Sequence, residues 1–194
     1  MSIKIDLRIF LFGVLFFLTK QIELYAVLMI FALLHELGHL CIGLLLGYKP
    51  KTISANPLGF QIYFKTRIED YNYKVKKGNK LCLNKIIIAL AGPTINLILA
   101  LICNFINIEL MILKETIIYG NLLLAVFNLL PIYPLDGGRI LKEILHIYKG
   151  KLKAYKITNK VSYITVIMLT AITSFLILYI HNFSFILILI YLWY

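Results

Sequence analysis

The sequence predicts an all-α polytopic membrane protein of about six transmembrane helices, with a small membrane-associated β-hairpin after the second. Three observations carry this. Of the 194 residues 61% are hydrophobic, and the mean hydropathy is +0.87. Several apolar runs approach or exceed the ~18 residues that mark a spanning helix, more apolar surface than a soluble chain of this length could cover. The 20 Lys and Arg are also clustered: two precede the first apolar run (Lys4, Arg8), nine fall between Lys49 and Lys85, and seven between Arg139 and Lys160. This is the asymmetry of the positive-inside rule. It places those segments and both termini on the cytoplasmic side of a multi-pass cell membrane.

The formal net charge of +11 has the same explanation, a basic face against anionic lipid headgroups. The basic segments contain no nucleic-acid reading motif, so a nucleic-acid partner is excluded. Cys41, Cys82 and Cys103 are scattered and form no Cys-x-x-Cys pair, which argues against a disulfide framework or a thiolate metal site. The length fits one domain over residues 1–194.

Taken in order, the first predicted helix runs from about Ile5 to Thr19. It is short for a bilayer and carries Asp6 and Arg8. Lys4 and Arg8 ahead of Ile9–Leu18 resemble a signal peptide, but Thr19-Lys20-Gln21 is no small-residue cleavage site, so the helix is expected to stay uncleaved. The second helix, about Ile22 to Gly47, is stopped by Gly47 and Lys49-Pro50. The chain then turns polar. Asn56-Pro57-Leu58-Gly59 is a turn signal, and the apolar residues at 60, 62 and 64 have the period of a half-buried strand. Such a strand either lies in a hairpin on the membrane surface or offers an edge to an extended peptide.

The third segment, about Leu83 to Ile106, contains Ala91-Gly92-Pro93-Thr94-Ile95-Asn96. Its Gly-Pro lets a neighbouring helix approach closely, and Asn96 is expected to hydrogen-bond to that helix. The fourth, about Leu110 to Leu130, ends in Asn128-Leu129-Leu130-Pro131-Ile132-Tyr133-Pro134-Leu135-Asp136-Gly137-Gly138-Arg139, where prolines break the helix and glycines permit a tight turn. An amphipathic stretch follows from Arg139 to His146. Two further helices, about Lys160 to Ile180 and Phe183 to Tyr194, finish the chain with a turn at His181-Asn182. The 34 residues from Val161 would otherwise make one helix of ~51 Å, too long for a single span.

Chemistry enters at His35-Glu36-Leu37-Gly38-His39, inside the apolar run Ala26 to Leu46. Ionisable groups in such a run are costly and default to function. Residues i and i+4 share a helix face, so His35 and His39 can grip one Zn2+ while Glu36 acts as general acid/base. Catalytic zinc needs three protein ligands and an open position for water. His146 and His181 lie in or beside polar segments and read as surface or interfacial histidines. Asp136, placed after a helix break where an acid must be buried in protein or line a watery cavity, is the candidate third ligand. Asn128 is a candidate amide donor to the oxyanion of the reaction. A peptide bond in a helix is shielded, so a membrane-associated substrate must unwind before water attacks, and a strand near residues 60–64 would hold it extended.

These three elements, His35 to His39, Ala91 to Asn96 and Asn128 to Gly138, occur in the order of the three signatures of the site-2 protease family. The chain resembles that family over roughly residues 5 to 180. Asn-Leu-Leu-Pro-x-x-Pro-Leu-Asp-Gly-Gly-Arg is especially similar to the branch of stage IV sporulation protein FB. The resemblance implies an intramembrane zinc metalloprotease with His35, His39 and Asp136 on the metal and Glu36 as catalytic acid/base. It also implies a substrate-contacting strand after the catalytic helix, a catalytic core at about 22–140, and membrane-associated substrates such as transcription-factor precursors (sporulation sigma-factor precursors among them), anti-sigma factors or signal-peptide remnants. The chain departs from the family pattern in that neither a PDZ nor a CBS domain is expected in it. In a bacterium the matching location is the inner or forespore membrane, with the active site toward the cytoplasm. The sequence names neither the substrate nor inhibitory membrane partners, and it leaves the oligomeric state open.

The rival reading is a non-proteolytic polytopic metal-binding protein, a transporter or a pseudoprotease scaffold. A transporter is expected to carry ionisable groups along several helices. Here they concentrate at one motif, with Glu36 intact.

Overall fold

The computed structural model describes residues 2–7, 22–56, 59–65, 75–105 and 111–180, and isolated positions between 10 and 18. Its contacts divide the chain into two compact units, Met1–Leu129 and Leu130–Tyr194. Among the described residues, the first unit's elements are β1 (Ser2–Ile5), α1 (Ile22–Leu45), β2 (Lys49–Asn56), β3 (Gly59–Lys65), α2 (Val75–Phe105) and α3 (Met111–Asn128). The second holds α4 (Asp136–Lys149) and α5 (Lys151–Ile180), which pack on each other.

In the first unit α1 packs on α2, and α2 on α3. The burial pattern is inverted relative to a water-soluble bundle. His35, His39, Asn96 and Asn121 are buried, while Leu37, Leu44, Leu90, Leu97 and Leu101 face outward. That arrangement suits a hydrocarbon surround, where apolar surface outside costs nothing and polar groups must find partners inside. Among the described residues two helices are long and apolar enough to cross a membrane: Tyr25–Leu45, 21 residues, and Asn79–Phe105, 27 residues. At 1.5 Å per residue they measure about 31 Å and 40 Å, against a hydrocarbon core of about 30 Å.

Helix α1 ends where the sequence places a stop. Gly47 has φ +82°, and Gly47 N–H and Tyr48 N–H donate to the carbonyls of Leu44 and Gly43, both at 2.9 Å. This is the Schellman closure, which satisfies carbonyls the helix leaves open. The chain then enters a sheet ordered β1-β2-β3, in which β2 pairs antiparallel with β3 and parallel with β1. Asn56 stands opposite Gly59 in the register. Among the described residues β3 is an edge strand of this sheet. It packs closely on α1, since a Cβ at Gly43 would overlap the ring edge of Phe64. Tyr48 meets the same ring edge-on at 6.4 Å, and its hydroxyl accepts from Asn84 Nδ2 of α2 at 3.2 Å.

Several elements differ from the sequence expectation. Ile5 ends strand β1 instead of opening a helix, because Ser2–Ile5 find a parallel partner in Thr52–Ala55, a non-local pairing that hydropathy does not reveal. Half of the predicted first helix beyond it lies outside the described residues; Phe10, Gly13, Val14, Phe17 and Leu18 are described and helical. Residues 49–56, read as polar chain, form β2. Helices α2 and α5 begin just over two turns earlier than their apolar runs, at Val75 and Lys151 instead of about Leu83 and Lys160. In α5 the early turns carry Lys151, Lys153 and Lys156 outward while Ala154, Thr158 and Ser162 are buried at i, i+4 spacing. The predicted turn at His181-Asn182 and the helix Phe183 to Tyr194 lie outside the described residues.

Candidate metal centre

His35 and His39 project from α1 toward α2 and are buried. Their Nε2 atoms stand 3.1 Å apart, with the ring planes nearly perpendicular. Two nitrogens each ~2.05 Å from one tetrahedral ion would stand about 3.3 Å apart, so the spacing fits a shared metal. The helices come close enough because the facing positions are small. A Cβ at Gly38 would sit 2.8 Å from Ile95 Cδ1 and 3.0 Å from the Ala91 carbonyl oxygen. A Cβ at Gly92 would sit 2.5 Å from Nε2 of both histidines. Gly92 therefore leaves open the space that a bound ion needs.

The outer ring nitrogens are both engaged by α2. His39 Nδ1 lies 2.6 Å from the carbonyl oxygen of Ile88. Gly92 N also lies 3.3 Å from Nδ1, but the Ile88 contact is much shorter, and a carbonyl can only accept. Nδ1 therefore carries the proton, and Nε2 keeps its lone pair for a metal. His35 Nδ1 lies 3.2 Å from the amide of Asn96, which is wholly buried. The expected hydrogen bond from Asn96 to a neighbouring helix is thus present, and its partner is a histidine of the HExxH motif. Glu36 is half-buried, one residue along the same helix turn.

Asn128 closes α3 and is half-buried, and its Nδ2 donates to the Leu124 carbonyl at 3.0 Å. One of its two amide hydrogens is so committed to its own helix.

In the second unit, Asp136 is the first residue of α4 and is buried. A carboxylate at a helix N-terminus faces free backbone N–H groups and the positive end of the dipole. Arg139 Nη1 lies 3.6 Å from its Oδ1. The turn before it is compact, since a Cβ at Gly138 would overlap the Ile132 carbonyl. Ser162 of α5 braces this turn, a role sequence reading missed. Its Oγ accepts from Tyr133 N–H at 2.9 Å and donates to the Thr158 carbonyl at 2.8 Å. Its only forewarning in the sequence is a serine on the buried i, i+4 stripe of α5. His146 lies beside Glu143 at 3.6 Å on α4, as a half-exposed histidine.

Comparison with known proteins decides the family. The description of peptidase family M50 matches residues 23–114 and 107–172. The chain belongs to peptidase family M50. A zinc metalloprotease of Methanocaldococcus jannaschii is 33% identical over 144 residues, which is 71% of this chain and 39% of that protein. Stage IV sporulation protein FB of Bacillus subtilis is 26% identical over 149 residues, 75% of this chain and 48% of that one. The chain thus spans less than half the length of each of these two relatives. The solved structure of a site-2 protease from Methanocaldococcus jannaschii superposes with a TM-score of 0.68 at 26% identity, covering 97% of this chain and 84% of that one. All three elements singled out in the sequence lie inside the matched M50 region.

Proposed function

We propose that the protein is an intramembrane zinc endopeptidase, one metalloprotease domain with about six membrane spans and a hairpin lying at the membrane surface. The observation that carries the reading is the pair of Nε2 atoms 3.1 Å apart in an apolar helix, with the proton of His39 held away on Nδ1. Membership of M50 and the zinc metalloprotease among its relatives, together with the donor set, favour Zn2+. Asp136 is assigned as third ligand. Its support is the acid–Gly–Gly turn after a helix break, which leaves Asp136 buried at the N-terminus of α4.

When bound, zinc supplies Lewis acidity toward the scissile carbonyl and lowers the pKa of water to about 7. The chain's own residues do the rest. Glu36 accepts the proton of the attacking water and delivers it to the leaving amine. The amide of Asn128 donates to the oxygen that gains negative charge, through the hydrogen not spent on Leu124. The open edge of β3 pairs with the unwound substrate and holds it extended. Substrates are membrane-associated proteins, sporulation sigma-factor precursors among them, cut from the cytoplasmic side.

The test uses the full chain in bilayer nanodiscs with a membrane-anchored reporter peptide. Cleavage is expected to stop on chelation and return with zinc, and Asp136→Ala is expected to lower zinc content together with cleavage. Full zinc content in Asp136→Ala would remove Asp136 from the ligand set. Asn128→Ala is expected to keep its zinc and lose about 10²–10³ in turnover, the scale of one oxyanion donor. Unchanged turnover would end that assignment.

A further inference from the structure

The two histidines are supported differently, and the difference leaves an atom unaccounted for. His39 has the Ile88 carbonyl on Nδ1, an acceptor that admits one tautomer only. His35 has Asn96 Nδ2 facing Nδ1 at 3.2 Å, while Asn96 Oδ1 is buried with no hydrogen-bond partner. An amide nitrogen can only donate. Donation to His35 Nδ1 would force the ring proton onto Nε2, where it would point at His39 Nε2 and close the metal position.

The oxygen and nitrogen of a carboxamide have nearly the same shape, so their placement is decided by the hydrogen bonds they make. Turning the Asn96 amide by 180° puts Oδ1 against His35 Nδ1. The oxygen then gains the partner it lacks, Nδ1 carries the proton, and both Nε2 lone pairs converge. We propose that Asn96 is a positioning residue for His35: its side-chain oxygen accepts the Nδ1 proton and fixes the tautomer and ring orientation in which Nε2 is a metal ligand. The Ile88 carbonyl does the same for His39. Helix α2 thus supplies both outer partners while contributing neither imidazole. This rests on His35 being a ligand, as proposed above.

Metal-bound histidines generally donate their other N–H to such a partner, and losing the partner typically costs about 10–100-fold in metal affinity. The experiment measures zinc affinity of the full chain in nanodiscs by chelator competition, for wild type and for Asn96→Ala, Asn96→Leu, Asn96→Asp and His35→Ala. Asn96→Ala and Asn96→Leu are expected to bind zinc about 10–100-fold more weakly. Asn96→Asp, an acceptor when ionised, is expected to recover most of that loss. Wild-type affinity in Asn96→Leu would reduce Asn96 to packing and overturn the proposal. So would an Asp variant as weak as Ala. Unchanged affinity in His35→Ala would instead overturn the ligand assignment itself, so the two failures are distinct. A second measurement does not depend on how the Asn96 variants fold. In metal-free wild type labelled with ¹⁵N-histidine, the signal that disappears in His35→Ala is expected to show a protonated Nδ1. A protonated Nε2 there would refute the acceptor role.

Discussion

Glu36→Gln is expected to keep its zinc and lose cleavage by about 10²–10⁴-fold, the contribution of a positioned general base. The exchange preserves shape and removes only the ability to take a proton. Neither histidine depends on Glu36 for its outer hydrogen bond, since those partners come from Ile88 and Asn96 of α2. Zinc content and reporter cleavage measured on one preparation check both halves. Wild-type cleavage by the variant would remove Glu36 from the mechanism. Metal transport that persists in it, with no cleavage by either protein, would favour the transporter reading.

Gly92→Ala is expected to damage the metal centre from a helix that carries neither histidine. The new Cβ would lie 2.5 Å from both Nε2 atoms, a distance real methyl groups do not reach. Neither ring can step aside cheaply, because each is held at its far nitrogen by α2 itself. Overpacking of this kind costs about 1–3 kcal/mol, which corresponds to roughly a five- to 150-fold fall in zinc affinity. Gly120→Ala on α3 is the matched control, since its Cβ would meet only Leu28 Cδ2 at 3.5 Å. Chelator competition is expected to separate the two variants, and equal affinities would show that the α1–α2 contact is looser than its geometry.

How legible was this in the sequence? The metal motif was, because i, i+4 spacing is a property of any helix and two histidines in an apolar run have no cheaper explanation. The stop at Gly47 was legible for the same local reason. What the sequence left dark is what depends on distant partners. Asn96 could be seen as a polar residue in need of a neighbour, but not as the neighbour of His35, which is 61 residues away. Strand β1 pairs with residues about fifty positions later, and its four residues carry too little pattern to announce a strand. The early turns of α5 fall in a lysine-rich segment ahead of the apolar run that marks the helix, though a helix can solvate one face and bury the other. Ser162 was unreadable, since what matters is the backbone N–H it meets at Tyr133.

The Ile88 contact sets the two imidazoles apart in how they can change. Its acceptor belongs to the main chain, so no side-chain replacement at position 88 deletes it, and an alanine scan would pass over it in silence. The support of His35 hangs on a side chain that one codon can alter. The centre therefore has a fixed half and an adjustable half. Inherited variation in its grip on metal has an easy route through position 96 and almost none through position 88.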